Sequence, residues 1–368
     1  MIKFLIINEP NITMKILHQA SLTFLFIAFF FCFGASIQAS IDLEELSQDF
    51  VLETKRIEIP GHPYAFNPSI IRWKGSLLLS FRDLLPIDSN LPFLIDCSSN
   101  SQIGLIWLDE SFTPISKPQM LDTYVNNPGM HSRAEDSRLV SVGEHLYIVY
   151  SDNINEIITD GGFRMFVAEL QLDGEIFSAQ DTECLNSFEG ENPLRREKNW
   201  VPFDYLGHLY FGYSISPHMI LHPLLGTGKC ETIDSTWDGF NWKWGELRGG
   251  TPALKIDNQY LAFFHSSMEM DTVHSNGEKI LHYFMGAYTF SLEPPFKITQ
   301  ISPEPIIGQN FYHGTIYTPY WKPVRVVFPC GYIFDENSVW IAYGRQDHEI
   351  WIAKLDKAGL LASLRKYK

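Results

Sequence analysis

The stretch LLLSFRD, at residues 77–83, is an apolar run that ends in an aromatic residue followed by polar ones. The design decides the fold because it recurs, as LYIVYSD at 146–152, LYFGYSI at 209–215, YLAFFHS at 260–266 and VWIAYGR at 339–345. All five runs are rich in strand-forming residues. Turn residues stand before them, among them Gly75, Gly143 and Gly207. Each run is therefore predicted to be the second strand of a β-hairpin.

The repeat also has a fixed internal spacing. Ten residues before each run stands the residue that opens an earlier strand-like piece, namely Asn67, Asp136, Asn199, Gly250 and Pro329. Successive units lie about fifty to eighty residues apart, which is typical of four-stranded propeller blades with variable loops. A β-sandwich with repetitive strands is the alternative, and the shared spacing favours the propeller.

One segment outside the repeats has helical periodicity. Residues 355–366 place Leu360, Leu361 and Leu364 on one side, which predicts a short C-terminal helix. We expect residues 40–368 to form a single all-β domain, a five-bladed β-propeller that ends in this helix.

The N-terminal residues have the layout of a secretory signal peptide. Lys15 and His18 follow Met14 and precede an apolar run at 22–33, and small residues end near Ala39. We expect a signal peptide over residues 1–39, with Met14 as the start, and a secreted or periplasmic protein that keeps no membrane span. An uncleaved segment that anchors the protein in the membrane is the alternative.

Composition excludes some classes of partner. The chain has 368 residues and a net charge of −15, whereas nucleic-acid binding needs a basic surface. No pair of Cys or His residues has the spacing of metal ligands, so no metal is predicted. Without the signal segment, four cysteines remain: Cys97, Cys184, Cys230 and Cys330. Four cysteines allow three different disulfide pairings. The sequence leaves the oligomeric state open.

Polar residues open the units and close the second strands. In a propeller the innermost strands surround a central channel, so residues far apart in sequence meet there. The openings include Asn67, Glu135 and Asp136, and Arg82 and Asp83 close a second strand. A ring of polar side chains with both charge signs is what a binding pocket needs and a core does not.

The order of these motifs resembles glycoside hydrolase family 130, which comprises mannoside phosphorylases and β-mannosidases with a five-bladed propeller. The resemblance covers residues 60–355 and rests on short motifs: FNPSI with FRD, EDSR, KNW, GGTPAL with the FFH run, Tyr283 with Gly286, FPCG and YGRQD.

The resemblance implies roles for particular residues. Asp136, in a motif where Ser137 replaces the family's proline, corresponds to the catalytic acid. The implied substrate-binding residues are Asn67, Arg82, Asp83, Arg138 and Asp347. The implied phosphate- or acceptor-binding residues are Lys198, Asn199, Arg248, His265 and Tyr283.

Several functions remain open from the sequence. A phosphorylase needs cations for phosphate rather than a second carboxylate, so Lys198 and His265 favour inorganic phosphate as a co-substrate, with no cofactor. Export favours hydrolysis instead, with Glu269 or Asp271 as a base. A mannosyl-transferring enzyme would reconcile export with the basic residues. A propeller that binds an oligosaccharide or a protein partner without catalysis is the remaining alternative.

Overall fold

The structure is a computed structural model. It describes residues 41–84, 101–123, 133–153, 162–185, 187–188, 196–236, 240–314, 316 and 323–366. The predicted signal peptide lies outside these residues. The folded unit discussed below spans Asp42–Lys368. Within the described ranges, no helix is long and apolar enough to cross a membrane.

Four of the sheets in the described chain have four antiparallel strands each. The first contains β2 (Phe66–Trp73), β3 (Ser76–Leu84), β4 (Ser101–Leu108) and β5 (Gln119–Met120). The second contains β6 (Glu135–Val142), β7 (His145–Asn153), β8 (Phe163–Asp173) and β9 (Ile176–Leu185). The third contains β10 (Val201–Tyr205), β11 (His208–Ile215), β12 (His218–Leu224) and β13 (Lys229–Thr236). The fourth contains β20 (Val327–Phe334), β21 (Ser338–Arg345), β22 (Glu349–Asp356) and the N-terminal β1 (Val51–Ile57).

The fifth sheet is larger than the four-stranded blades that the sequence predicts. It has seven strands: β14 (Arg248–Gly249), β15 (Leu254–Ile256), β16 (Gln259–Asp271), β17 (Lys279–Ser291), β18 (Ile298–Ile301), β19 (Val324–Arg325) and β23 (Arg365–Lys366). Its inner strand is divided into β14 and β15, and between them the N–H of Ala253 donates to the carbonyl of Pro202 in the third sheet, at 2.9 Å. Both β16 and β17 are 13 residues long, and the extra edge of β17 pairs with β19 in parallel.

The C-terminal helix is present but shorter than predicted. Helix α1 (Lys357–Ser363) begins after Asp356, whose carboxylate accepts from the N–H of Gly359 at 2.6 Å. It ends at Ser363 because the chain becomes extended at Leu364 and then pairs with β18 as β23. Leu360 and Leu364 are buried, as the periodicity predicts.

The sheets contact one another in a closed order, which is a propeller-like arrangement. Strand β20 contacts β2, β2 contacts β6, β6 contacts β10, β11 contacts β14, and β16 contacts β20. Apolar side chains of neighbouring sheets pack between them, such as Leu79 of β3 with Ile352 of β22. No disulfide joins Cys184, Cys230 and Cys330 to one another, and Cys97 lies outside the described residues.

Candidate active site

Two β-bulges position the polar residues that open the first and second sheets. Pairing shifts between Phe66 and Ser69 in β2, and between Glu135 and Arg138 in β6. Asn67 and Asp136 lie in these bulges. Bulges re-aim side chains out of the regular strand alternation, and they commonly occur next to active sites.

The backbone at these positions explains why Asn and Asp occur there. Asn67, Asp136 and Asn199 have φ values of 47°, 51° and 64°. Apart from glycine, Asn and Asp adopt positive φ most readily, because their short side chains can bond locally. The same residue types therefore suit both the bulge and a polar site.

Asp136 is the centre of a buried hydrogen-bond network. The amide of Asn67 donates to its Oδ1 at 2.8 Å, and Nη1 of Arg82 lies 3.4 Å from the same oxygen. Arg138 donates to the carbonyl oxygen of Asp136 through Nη1. Its other nitrogens donate to the carbonyl of Gly250 at 2.7 Å and to Oδ1 of Asn199 at 3.0 Å. Arg138 thus joins three sheets.

The fourth sheet approaches the same group closely. A Cβ atom added at Gly344 would overlap the amide of Asn67, so only glycine fits there. A Cβ atom added at Gly250 would lie 2.9 Å from the carbonyl oxygen of Pro329. The opening positions therefore lie in one group: Asn67 bonds to Asp136, Arg138 links Asp136 with Asn199 and Gly250, and Gly250 lies against Pro329. Asn199 and Gly250 lie just outside the strands that the sequence predicts for them.

Glu135 is a buried member of the site to which the sequence analysis gave no role. Its Oε1 lies 3.1 Å from Nη2 of Arg82, and its Oε2 is paired with Nζ of Lys198. The ammonium of Lys198 also lies 4.2 Å from the centre of the Phe163 ring. The position of Glu135 next to Asp136 is the only feature of the sequence that points to it. The two cationic partners of Glu135, Arg82 and Lys198, come from other segments of the chain. Lys198 therefore contacts a carboxylate already.

A second polar group surrounds His265. This imidazole is buried and stacks on Tyr283, with ring centres 6.0 Å apart and planes at 18°. Among the described residues, its Nδ1 has no hydrogen-bond partner. Burial, Arg138 and Arg248 lower the pKa of His265 to about 3, so the ring is neutral at physiological pH. The positive charge here comes from the two arginines.

A sequence profile described as beta-1,4-mannooligosaccharide phosphorylase, of glycoside hydrolase family 130, matches residues 40–366. The chain belongs to this family. Its members are glycoside phosphorylases and hydrolases, so the protein is an enzyme of that kind. The resemblance to family 130 that the sequence motifs indicate is confirmed.

Solved structures agree in fold at low identity. A beta-1,2-mannobiose phosphorylase from Listeria innocua, in complex with beta-1,2-mannobiose, has 16% identity and a TM-score of 0.54, with 87% of this chain and 95% of that chain covered. A mannose phosphorylase from Leishmania mexicana, in complex with phosphate, has 11% identity and a TM-score of 0.57, covering 88% and 93%. A glycosyl hydrolase from Bacteroides ovatus has 13% identity and a TM-score of 0.56, covering 90% and 96%. A search of curated proteins found no match.

The family 130 enzyme carries two aspartates with opposite electrostatics. Burial raises the pKa of Asp136, but Arg82, Arg138, Lys198 and the Asn67 hydrogen bond together lower it below its usual value. Asp347, in the turn after β21, has a φ of 55°. Burial and the negative charge of Asp136 raise its pKa to about 7, although Arg82 opposes them.

The remaining predicted residues lie at the edge of this group or away from it. Asp83 is buried but its carboxylate is bonded to Nδ1 of His62 at 2.7 Å. The side chain of Arg248 is 58% exposed and pairs with Glu246 at 2.9 Å. Burial and Asp347 raise the pKa of Tyr283 to about 12, so its hydroxyl keeps its proton at neutral pH.

The two carboxylates considered as hydrolytic bases are exposed. Glu269 and Asp271 follow His265 along β16 by four and six residues. At about 3.3 Å per residue they lie about 13 and 20 Å farther along the strand.

Of the tryptophans at 237, 242 and 244, Trp242 is buried and donates to Ser266 at 2.8 Å, so it is a core residue. Trp237 lies outside the described residues.

Proposed function

We propose that this enzyme is an inverting β-mannoside phosphorylase in which Asp136 is the general acid. The carrying observation is the position of Asp136, which is buried in the bulge of an inner strand and held by Asn67 and Arg82 of a neighbouring sheet. The substrate class follows from the family and from neighbours that are named as mannoside-active.

The proposed reaction needs one proton and one anionic nucleophile. The Asp136 carboxyl protonates the glycosidic oxygen as its bond to C1 breaks. A phosphate oxygen attacks C1 from the opposite face, which gives a sugar 1-phosphate of inverted configuration and a shortened acceptor. No second protein carboxylate is required, because phosphate is already an anion.

The His265 group supports phosphate as that nucleophile. Arg138 and Arg248 both act electrostatically on His265, so the region carries positive charge. Nδ1 of His265 has no partner within the described ranges, whereas a buried polar atom normally has a hydrogen-bond partner. A ring N–H of the neutral His265 already bonds to the backbone of Gly249, so Nδ1 is an acceptor, and we infer that a hydroxyl of the phosphate donates to it. Lys198 contributes less than the sequence analysis expected, because Glu135 neutralises its charge.

Phosphate also resolves a conflict in the protonation of Asp136. A general acid must hold a proton when it acts, whereas three cations keep the pKa of Asp136 low. A phosphate anion near Arg138 would offset part of that positive charge and would raise the pKa of Asp136. Phosphate binding would therefore prepare the acid as well as supply the nucleophile.

Hydrolysis is a second candidate, and Asp347 is the observation that favours it. A carboxyl with a pKa of about 7 is half ionised at neutral pH and can accept a proton from water. It acts electrostatically on the same Asp136. The predicted export of the chain also favours this candidate, because a sugar phosphate made outside the cell is of little use there.

A product assay separates the two candidates. The purified enzyme is incubated with β-1,2- and β-1,4-linked mannobioses, in phosphate or in sulfate of equal ionic strength. We expect mannose 1-phosphate in phosphate buffer and little cleavage in sulfate. Free mannose, formed at equal rates in both buffers, would establish hydrolysis and overturn the phosphorylase proposal.

We propose two further properties that complete this picture. The seven-stranded sheet is the fifth blade of a closed propeller, since β14 and β16 contact the third and fourth sheets. Residues 1–39 direct export and are removed, which N-terminal sequencing of the protein recovered outside the cytoplasm would check.

A further inference from the structure

Three distant segments meet at a cluster of ligating side chains apart from the Asp136 group. Glu44 lies in a 3-10 turn (Leu43–Leu46), His274 in a second one (Val273–Ser275), and His313 in the segment before β19. Each offers one ligand atom, and the three atoms lie within 4.8 Å of one another. Glu44 and His274 are buried, whereas the side chain of His313 is 69% exposed.

We propose that Glu44, His274 and His313 bind a zinc ion or a similar divalent transition metal. Two imidazoles and one carboxylate form a donor set that suits zinc. Calcium and magnesium prefer oxygen ligands alone and are not expected to bind here. The ligands come from three segments, which explains why the sequence shows no ligand spacing.

The carboxylate of Glu44 is held in place by the backbone. Its Oε1 accepts from the N–H groups of Tyr312 and His313 at 2.8 and 3.0 Å, and its Oε2 accepts from that of Asn310 at 3.1 Å. Hydrogen bonds of this kind orient a ligating group before a metal arrives. The same Oε2 lies 3.0 Å from Nδ1 of His313. In a tetrahedral zinc site two ligand atoms are separated by about 3.3 Å, so an ion could replace the shared proton with little movement.

Asp42 lies next to the cluster without belonging to it, so a water molecule would complete the coordination of an ion held by the three side chains. The Oδ1 of Asp42 lies 2.9 Å from Nε2 of His274. A second carboxylate also offsets the nearby cation Arg325, whose Nε donates to the carbonyl of His274 at 2.5 Å. The exposed imidazole of His313 gives an ion access from solvent.

The site would fasten the start of the folded unit. The bonds from Asp42 and Glu44 join residues 232 and 269 positions away in the chain. A metal that binds the folded chain in this way stabilises it against unfolding by mass action.

Zinc titration of the full chain tests the proposal. The protein is freed of any polyhistidine tag, treated with EDTA and dialysed. Calorimetry and elemental analysis are expected to give about one zinc per chain, with a midpoint of thermal unfolding raised by about 4 °C in saturating zinc. His313→Ala should bind zinc at least about tenfold more weakly, with an unchanged circular dichroism spectrum. Calcium and magnesium should produce no shift.

His145→Ala is the matched control. His145 is also exposed, and its Nδ1 lies 2.8 Å from Oε1 of Glu169, but no third ligating side chain joins this pair within the described part of the chain. This variant should bind zinc like the wild type. The proposal is overturned if the wild type binds no stoichiometric zinc, or if His313→Ala retains wild-type affinity.

Discussion

The surroundings of Asp136 and Asp347 differ in the charges that each carboxyl meets. Arg82, Arg138 and Lys198 outweigh the burial of Asp136 and lower its pKa. Asp347 is affected by burial and by the anions Asp136 and Glu135, with Arg82 as the opposing cation, and its pKa rises to about 7. At neutral pH, without substrate, Asp136 is thus ionised while Asp347 is partly protonated.

The difference teaches that burial alone does not identify the acid. The residue proposed as the acid, Asp136, is the one that holds its proton less firmly in the free enzyme. The proposed role of Asp136 therefore requires that a group bound beside it raises its pKa. Three predictions test this contrast between the two aspartates.

The largest expected effect comes from Asp136→Asn. Asparagine keeps the size and an Oδ1 that accepts from Asn67 and Arg82, but it has no acidic proton. We expect kcat on an unactivated mannobiose to fall by about 10²–10⁴-fold. An activated aryl mannoside should lose far less, because its leaving group needs little protonation. Equal rates for the variant and the wild type on the disaccharide would remove Asp136 as the acid.

Much of the fold was predictable because it depends on local patterns. The apolar runs at residues 77–83 and 339–345 predict β3 and β21, and the polar openings predict the convergence of Asn67 with Asp136. The number of strands in the fifth sheet was not predictable. It depends on the division of the inner strand into β14 and β15 and on the extra length of β16 and β17.

The contact between Asn67 and Asp136 was predictable from the sequence, whereas the electrostatics of the candidate site were not. The pairing of Lys198 with Glu135 and the neutral state of His265 both depend on neighbours from distant segments. The cluster of Glu44, His274 and His313 is a similar case. Glu44 lies more than 200 positions before both histidines in the chain. Long-range contacts of this kind leave no spacing in the sequence.

An intermediate effect is expected from Arg248→Met. This variant tests whether phosphate binds beside Arg248, where it would raise the pKa of Asp136. The variant removes a positive charge near His265 while the side chain is mostly exposed, so folding should be unaffected. We expect KM for phosphate to rise by about 10–100-fold, because the variant would lose a charge-assisted hydrogen bond to phosphate. Initial-rate kinetics at varied phosphate measure it.

The control for this variant is Arg72→Met. Arg72 is another exposed arginine paired with a glutamate, Glu110, at 2.9 Å, but it lies at the outer end of β2. Its replacement should leave KM for phosphate unchanged. If both variants behave alike, or if KM for the sugar rises instead, Arg248 does not serve the phosphate.

The smallest expected effect concerns the pH dependence that Asp347 contributes. A carboxyl with a raised pKa is neutral below that value and ionised above it, so at about 7 the neutral form is lost as the pH rises. If the neutral form binds the sugar, kcat/KM should fall by about tenfold from pH 6 to pH 8. Asp347→Asn is uncharged at every pH and should lack this fall.

The control for this variant is Asp173→Asn, which replaces an exposed aspartate and should keep the fall. A fall of equal size in Asp347→Asn would assign the titration to another group. Complete inactivity of Asp347→Asn at both pH values would instead favour its role as a hydrolytic base, because an amide cannot accept the proton of water.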